Sequence, residues 1–125
     1  MATQFSIEYI RNGNYLRISL MSPVTRDLGN EMIQQLEQEC DRIGCSGYLL
    51  DVRSTFNDST VHDNYEFANW DLKELGVVPR VKGAVLTAAN DDTHSLPVLM
   101  LRTAGYDVHD FTDEQEAVTW LTGSG

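Results

Sequence analysis

The chain has 125 residues, 42% of them hydrophobic, with a formal net charge of −10 and a sequence pI near 4.5. That length builds one domain with its own core, and the excess of acid argues against a general phosphate-backbone binder, so nucleic acid is not an expected partner. The apolar runs are too short to span a bilayer and the first residues lack the basic-then-apolar pattern of a secretory signal, so a cytoplasmic protein without stable membrane insertion is expected.

Phe5, Ile7 and Tyr9 alternate with polar residues, Asn12-Gly13-Asn14 is a turn signal, and Leu16, Ile18 and Leu20 alternate again. This pattern predicts an antiparallel β-hairpin. After Pro23, Leu28, Met32, Leu36, Cys40 and Ile43 recur at helical spacing and Gly44 suits a C-cap, which predicts an amphipathic helix. Cys40 and Cys45 lack Cys-x-x-Cys spacing and any nearby His or further Cys. They are read as reduced thiols without a metal.

The nearly continuous apolar run Tyr48-Leu49-Leu50-Asp51-Val52 predicts a central strand covered on both faces. A Ser-, Thr-, Asn- and Asp-rich segment extends to Thr60, and Val61, Tyr65, Ala68, Leu72 and Leu75 then mark a second amphipathic helix ending at Gly76. Asp58 or Ser59 is the expected cap. Val81 to Thr87 predicts another buried strand, and Pro97 stands early in a third helix carrying Val98, Leu101 and Arg102. Val108 to Phe111 is a short last strand, and Thr112 with Gln115 has capping-box spacing for a terminal helix bearing Ala117, Val118, Trp120 and Leu121. Leu50, Val52, Val85 and Trp120 are expected in the core. Residues 3–122 form the expected single domain, with 123–125 as a disordered tail.

The resulting order, β-β-α-β-α-β-α-β-α, makes the later strands mostly parallel and the first hairpin an antiparallel edge. The fold class is α/β, with a mixed sheet of about five strands and about four helices. This order resembles the STAS domain family, and within it the SpoIIAA-like proteins related to anti-sigma-factor antagonists. Leu50-Asp51-Val52-Arg53-Ser54-Thr55-Phe56-Asn57-Asp58-Ser59-Thr60 resembles the strand, loop and Asp-Ser-Ser switch of that family. The ending Phe111-Thr112-Asp113, then Glu116-Ala117, then Trp120-Leu121 is similar to that of a less characterised SpoIIAA-like branch.

The resemblance implies a non-enzymatic, bacterial-type signalling module, regulatory or ligand-binding. It places a candidate phosphoacceptor at Ser59 or Thr60. It also implies a groove between the second and third helices that takes an apolar ligand, for which Tyr65, Phe67, Trp70 and Leu99 supply candidate walls. The expected partner is an unidentified protein or a small amphiphilic ligand, and a homodimer is open to such a module. No cofactor is implied.

Independently of the resemblance, Asp51, Arg53, Asp58, His62, Asp91 and His94 fall in loops at the carboxyl ends of the parallel strands, where ligands of open α/β sheets bind. Arg53 suits an anionic group. Asp51, Asp58, Asp91 and His94 leave a second reading open, a small metal-dependent or acid–base enzyme, although their spacings match no defined motif. There is no Gly-x-Ser-x-Gly elbow, phosphate-binding loop or dinucleotide fingerprint.

Overall fold

The computed structural model describes residues 4–77 and 81–123. Strands β1 (Phe5–Ile10), β2 (Tyr15–Leu20), β3 (Gly47–Asp51), β4 (Lys82–Leu86) and β5 (Val108–Phe111) form one sheet in the order β1-β2-β3-β4-β5. The first pair is antiparallel and the other three pairs are parallel. At the hairpin turn Asn14 adopts φ 54°, and its Oδ1 accepts a hydrogen bond from the Tyr9 hydroxyl at 2.8 Å. A Cβ on the neighbouring Gly13 would stand 2.6 Å from the Tyr15 ring, so only glycine fits there.

Alternation along the strands divides the apolar side chains between two faces. Leu16, Ile18 and Leu20 share one face with Tyr48, Val52 and Val85, and with the half-buried Leu50. Helix α1 (Arg26–Ile43) covers this face with Leu28, Met32, Leu36 and Cys40. Thr25 caps its start by accepting from the Leu28 N–H at 3.2 Å, and Gly44 closes its end with φ 73°. Helix α4 (Ser95–Thr103) adds Val98 to the same core. On the opposite face Tyr15, Leu49, Ala84 and Leu86 pack against Ala117 and Leu121 of α5 (Glu114–Thr122). A Cβ on Gly47 would lie 2.7 Å from Leu121 Cδ1, so the bare glycine permits this close approach. The expected fold class is the observed one.

The second helix runs through α2 (Val61–Glu66), a π-helical turn (Phe67–Asp71) and α3 (Leu72–Glu74), with right-handed helical dihedrals at each junction. Within the wide turn the Leu72 N–H bonds the Phe67 carbonyl five residues back. That turn corrects the expected apolar stripe. Ala68 and Leu72 are buried, but Val61 and Tyr65 are 61% and 55% exposed. The extra residue accommodated in the π turn rotates α2 about the helix axis relative to α3. Asp63 and Asn64 therefore face inward where a regular helix would place Val61 and Tyr65.

Other local expectations are also corrected. Thr60, not Asp58 or Ser59, caps α2, its hydroxyl accepting from the Asp63 N–H at 3.0 Å. Asp113, not Thr112, caps α5, accepting from Gln115 N–H at 3.1 Å. Trp120 is half-buried because its ring lies across the sheet edge, against His109 at 4.9 Å and Phe111 at 5.6 Å between centroids, with Lys82 Nζ 5.0 Å from the ring. Cys40 and Cys45 form a disulfide with Cα atoms 4.9 Å apart, against the expectation of reduced thiols. The left-handed turn at Gly44 brings Cys45 back over the last turn of α1, where its N–H bonds the Cys40 carbonyl at 3.2 Å. Gly123 ends α5 in a left-handed cap, φ 69°; of the expected tail, residues 124 and 125 lie outside the described residues, as does residue 3 at the other domain limit.

Candidate functional site

The six loop residues singled out from the sequence do not converge. Asp51 points to the α5 side of the sheet, where its carboxylate accepts from Arg17 Nη2 at 2.8 Å and from Arg53 Nη2 and Nε at 2.8 and 3.0 Å. Both guanidinium groups also meet Glu114 Oε1, at 3.3 and 3.2 Å. Burial works to raise the Asp51 carboxyl, but the side-chain and backbone hydrogen bonds from Arg53 and the bond from Arg17 outweigh it and hold the group at about 2. Arg53 is thus committed to two carboxylates instead of standing open to an anion. The cluster ties β2, β3 and the first turn of α5 together.

His62 is exposed and lies 3.6 Å from Glu66 one helical turn on. Asp58 is exposed too; it borders a polar depression with Asp27, Asp63, Asp71 and Arg26. Among the described residues no three His, Cys, Asp or Glu side chains gather into a metal-holding group.

His94 and Ser59 occupy a different place. Between the sheet and the helices α1, α2 and α4 lies a crevice of about 100 Å³, walled by Leu20, Val24, Met32, Val52, Phe67, Val85, Val98 and Leu101. Its polar margin is Arg26, Asn57, Ser59, Asp63, Asn64 and His94. A second crevice of about 100 Å³ lies beside it under α1, the π turn, α3 and α4, lined by Leu36, Tyr48, Leu72 and Val108 among others. Met32, Leu50, Phe67, Val85 and Leu101 border both. The Phe67 ring also rests against Gly29 of α1, where a Cβ would stand 3.1 Å from it.

The loop that forms the margin is held by backbone. Val24 and Asn57 make a parallel bridge, with Val24 N–H to Phe56 O and Asp58 N–H to Val24 O both at 2.8 Å. Ser59 is half-buried, its hydroxyl donating to the Val24 carbonyl at 3.3 Å, whereas the Thr60 hydroxyl is used as the cap of α2. His94 is only 4% exposed. Burial pushes its imidazole below the usual range, opposed by Asp91, by a backbone hydrogen bond to Thr55 and by Asp110.

Of the expected groove residues, Phe67 alone borders the crevices. Tyr65, Trp70 and Leu99 point outward and are exposed, Trp70 by 59%.

Sequence reasoning missed Arg26, Asn30 and Asp71. Asp71, buried at the end of the π turn, receives Arg26 Nε and Nη2 at 2.7 and 2.9 Å and Asn30 Nδ2 at 2.9 Å. A legible signal existed: a cation in the first turn of a helix opposes the macrodipole and calls for a specific anion. Arg17 and Glu114 carry the same lesson, since each is placed by sheet and helix packing that only the assembled fold supplies.

A scan against protein-family models finds no match, and a search of curated proteins finds none. Among solved structures, an uncharacterized protein of the DUF3478 family with a SpoIIAA-like fold, from Shewanella loihica PV-4, is similar at 20% identity with TM-score 0.54, covering 94% of this chain and 91% of that one. A photosystem II D1 C-terminal processing protease is similar at 10% identity with TM-score 0.58, 88% of this chain matching 36% of the protease. Likeness at these identities is likeness of fold. Together with the strand order and the antiparallel first pair, it gives the chain a SpoIIAA-like, STAS-type α/β fold.

Proposed function

We propose that this domain is a non-enzymatic ligand-binding module that takes a small, mainly apolar molecule into the crevice beneath the π turn. The observation that carries the reading is the unfilled apolar volume inside the fold. Two crevices of about 100 Å³ share Phe67 as a wall, and cores of this size are ordinarily packed without such voids. A narrow apolar recess of this kind suits a small molecule better than a protein partner, which meets a broad surface. The polar side chains of Asn57, Ser59 and His94 give the ligand one polar end, as small-molecule sites commonly have. The absence of a Cβ at Gly29 lets the Phe67 ring pack against α1, where it forms part of the crevice wall.

An enzymatic reading has less support. The loop carboxylates are separated onto two faces of the sheet, and Asp51 and Arg53 neutralise each other.

Toluene is a suitable first probe because it tests apolar space alone. A ligand that binds only the folded state raises the thermal midpoint progressively with its concentration. A toluene-dependent rise supports the proposal, and an unchanged midpoint up to saturation of the buffer contradicts it.

A further inference from the structure

We propose that the crevice selects a small apolar molecule bearing one hydroxyl group, and that His94 Nε2 receives that hydroxyl. The inference rests on the reading of the crevice as a binding site and names the ligand class.

His94 immediately precedes α4 and borders the crevice. Its Nε2 is buried and has no hydrogen-bond partner among the described residues. The near carboxylate oxygen, Asp91 Oδ2, is 3.6 Å away, beyond hydrogen-bond reach. Asp91 uses its other oxygen to accept the Thr93 N–H at 2.9 Å and the Thr93 hydroxyl at 2.7 Å. The ring's backbone hydrogen bond with Thr55 favours the protonated ring, so the ring donates there. With Nε2 unpartnered among the described residues, the proton of the neutral ring is assigned to Nδ1 by elimination. In the neutral ring Nε2 then presents a lone pair.

A buried acceptor without a donor is costly, and a ligand that supplies the donor recovers that cost. A neutral donor is what fits, and hydroxyl is the smallest such group. A carboxylate brings no proton and would meet the negative Asp91; an ammonium would have to be desolvated among Val52, Phe67 and Val98. The size limit is set by the walls. An apolar cavity of roughly 150 Å³ takes benzene, a volume between that of one crevice of about 100 Å³ and that of the two neighbouring crevices together.

The test compares benzyl alcohol with toluene by NMR titration of the wild type and His94→Leu. Hydration disfavours transfer of the alcohol, so a crevice without a waiting acceptor prefers toluene. The wild type should bind benzyl alcohol at least as tightly as toluene, and the alcohol-to-toluene affinity ratio should fall about tenfold in His94→Leu. In the wild type, the His94 Nε2 nitrogen resonance should shift with benzyl alcohol and not with benzyl methyl ether, a readout that needs no variant. Equal ratios in the two proteins, or an unmoved Nε2 resonance at saturation, overturn the hydroxyl inference while leaving the apolar crevice standing. Failure of both toluene and benzyl alcohol to bind overturns both.

Discussion

Arg26 and Asp71 meet as a two-point ion pair, at 2.7 and 2.9 Å, that fastens the end of the π turn to the first turn of α1. The Arg26 guanidinium, seconded by Asn30, holds the Asp71 carboxyl below its ordinary range against the effect of burial. Removing the cation leaves a buried carboxylate with Asn30 alone, and the segment that roofs the crevice loses its anchor. In Arg26→Met the backbone amides of Phe67, Ala68 and Leu72 are expected to exchange with solvent faster, while those of β3 and β4 keep their protection. Uniform acceleration across the sheet would mean that the pair serves global stability and does not act on the roof in particular.

The Asp51 cluster makes a pH-dependent contribution whose sign is fixed. The folded-state carboxyl titrates at about 2, below the unfolded value of about 3.9. Its stabilisation is complete above the unfolded value and is lost as pH falls through the folded one. The side chain is largely but not wholly buried, so after solvent screening the contribution is on the order of 1–2 kcal/mol. Urea unfolding of wild type and Asp51→Asn should differ by that amount at pH 7, and the gap should close towards pH 2. A gap that is constant with pH would contradict the assignment.

Ser59 stands at the margin of the crevice with its hydroxyl turned to the Val24 carbonyl. A charge there, whether phosphate or Ser59→Asp, adds to Asp58 and Asp63 and obstructs the entrance. Ser59→Asp is expected to weaken toluene binding and to cost on the order of 1–3 kcal/mol of stability. Ser59→Ala should remain within about 1 kcal/mol of wild type with toluene affinity preserved. Calorimetric titration with urea unfolding of both variants checks this, and equal toluene affinity in Ser59→Asp would remove Ser59 from the entrance.

The outer face offers a comparison between neighbours. Leu121 is 4% exposed and packed against Gly47, whereas Trp120 lies half-covered on the sheet edge. Leu121→Ala should cost about 2–5 kcal/mol and Trp120→Ala about 1–3 kcal/mol, despite the larger side chain removed. Denaturation midpoints in the reverse order would contradict the placement of α5.

Elements fixed by short-range pattern were legible in the sequence: the hairpin from alternation around Asn12-Gly13-Asn14, α1 from its stripe and Gly44, and the buried β3 from its apolar run. The second helix was legible in extent but not in facing, because a π turn changes the residue count per turn and a 3.6-residue template then assigns Val61 and Tyr65 to the wrong side. Capping was displaced by one or two residues at Thr60 and by one at Asp113, where several adjacent Asp, Ser and Thr residues compete for the same role. The site was legible only in fragments. His94, Ser59 and Phe67 came from motif and composition, but which loop residues share a face depends on tertiary placement, and that placement sends Asp51 and Arg53 to α5 and His94 to the crevice.

The most direct test of the crevice uses Gly29, whose added Cβ would press on the Phe67 ring from α1. Amide and methyl NMR titrations with toluene, run on wild type and Gly29→Val, measure binding inside the fold and its location together. The account predicts saturable shifts in the wild type centred on Gly29, Phe67, Val85, Val98 and Leu101, and binding at least about tenfold weaker in Gly29→Val, whose bulk occupies the space. Shifts confined to exposed residues such as Tyr65 and Trp70, or equal affinity in the two proteins, would contradict it.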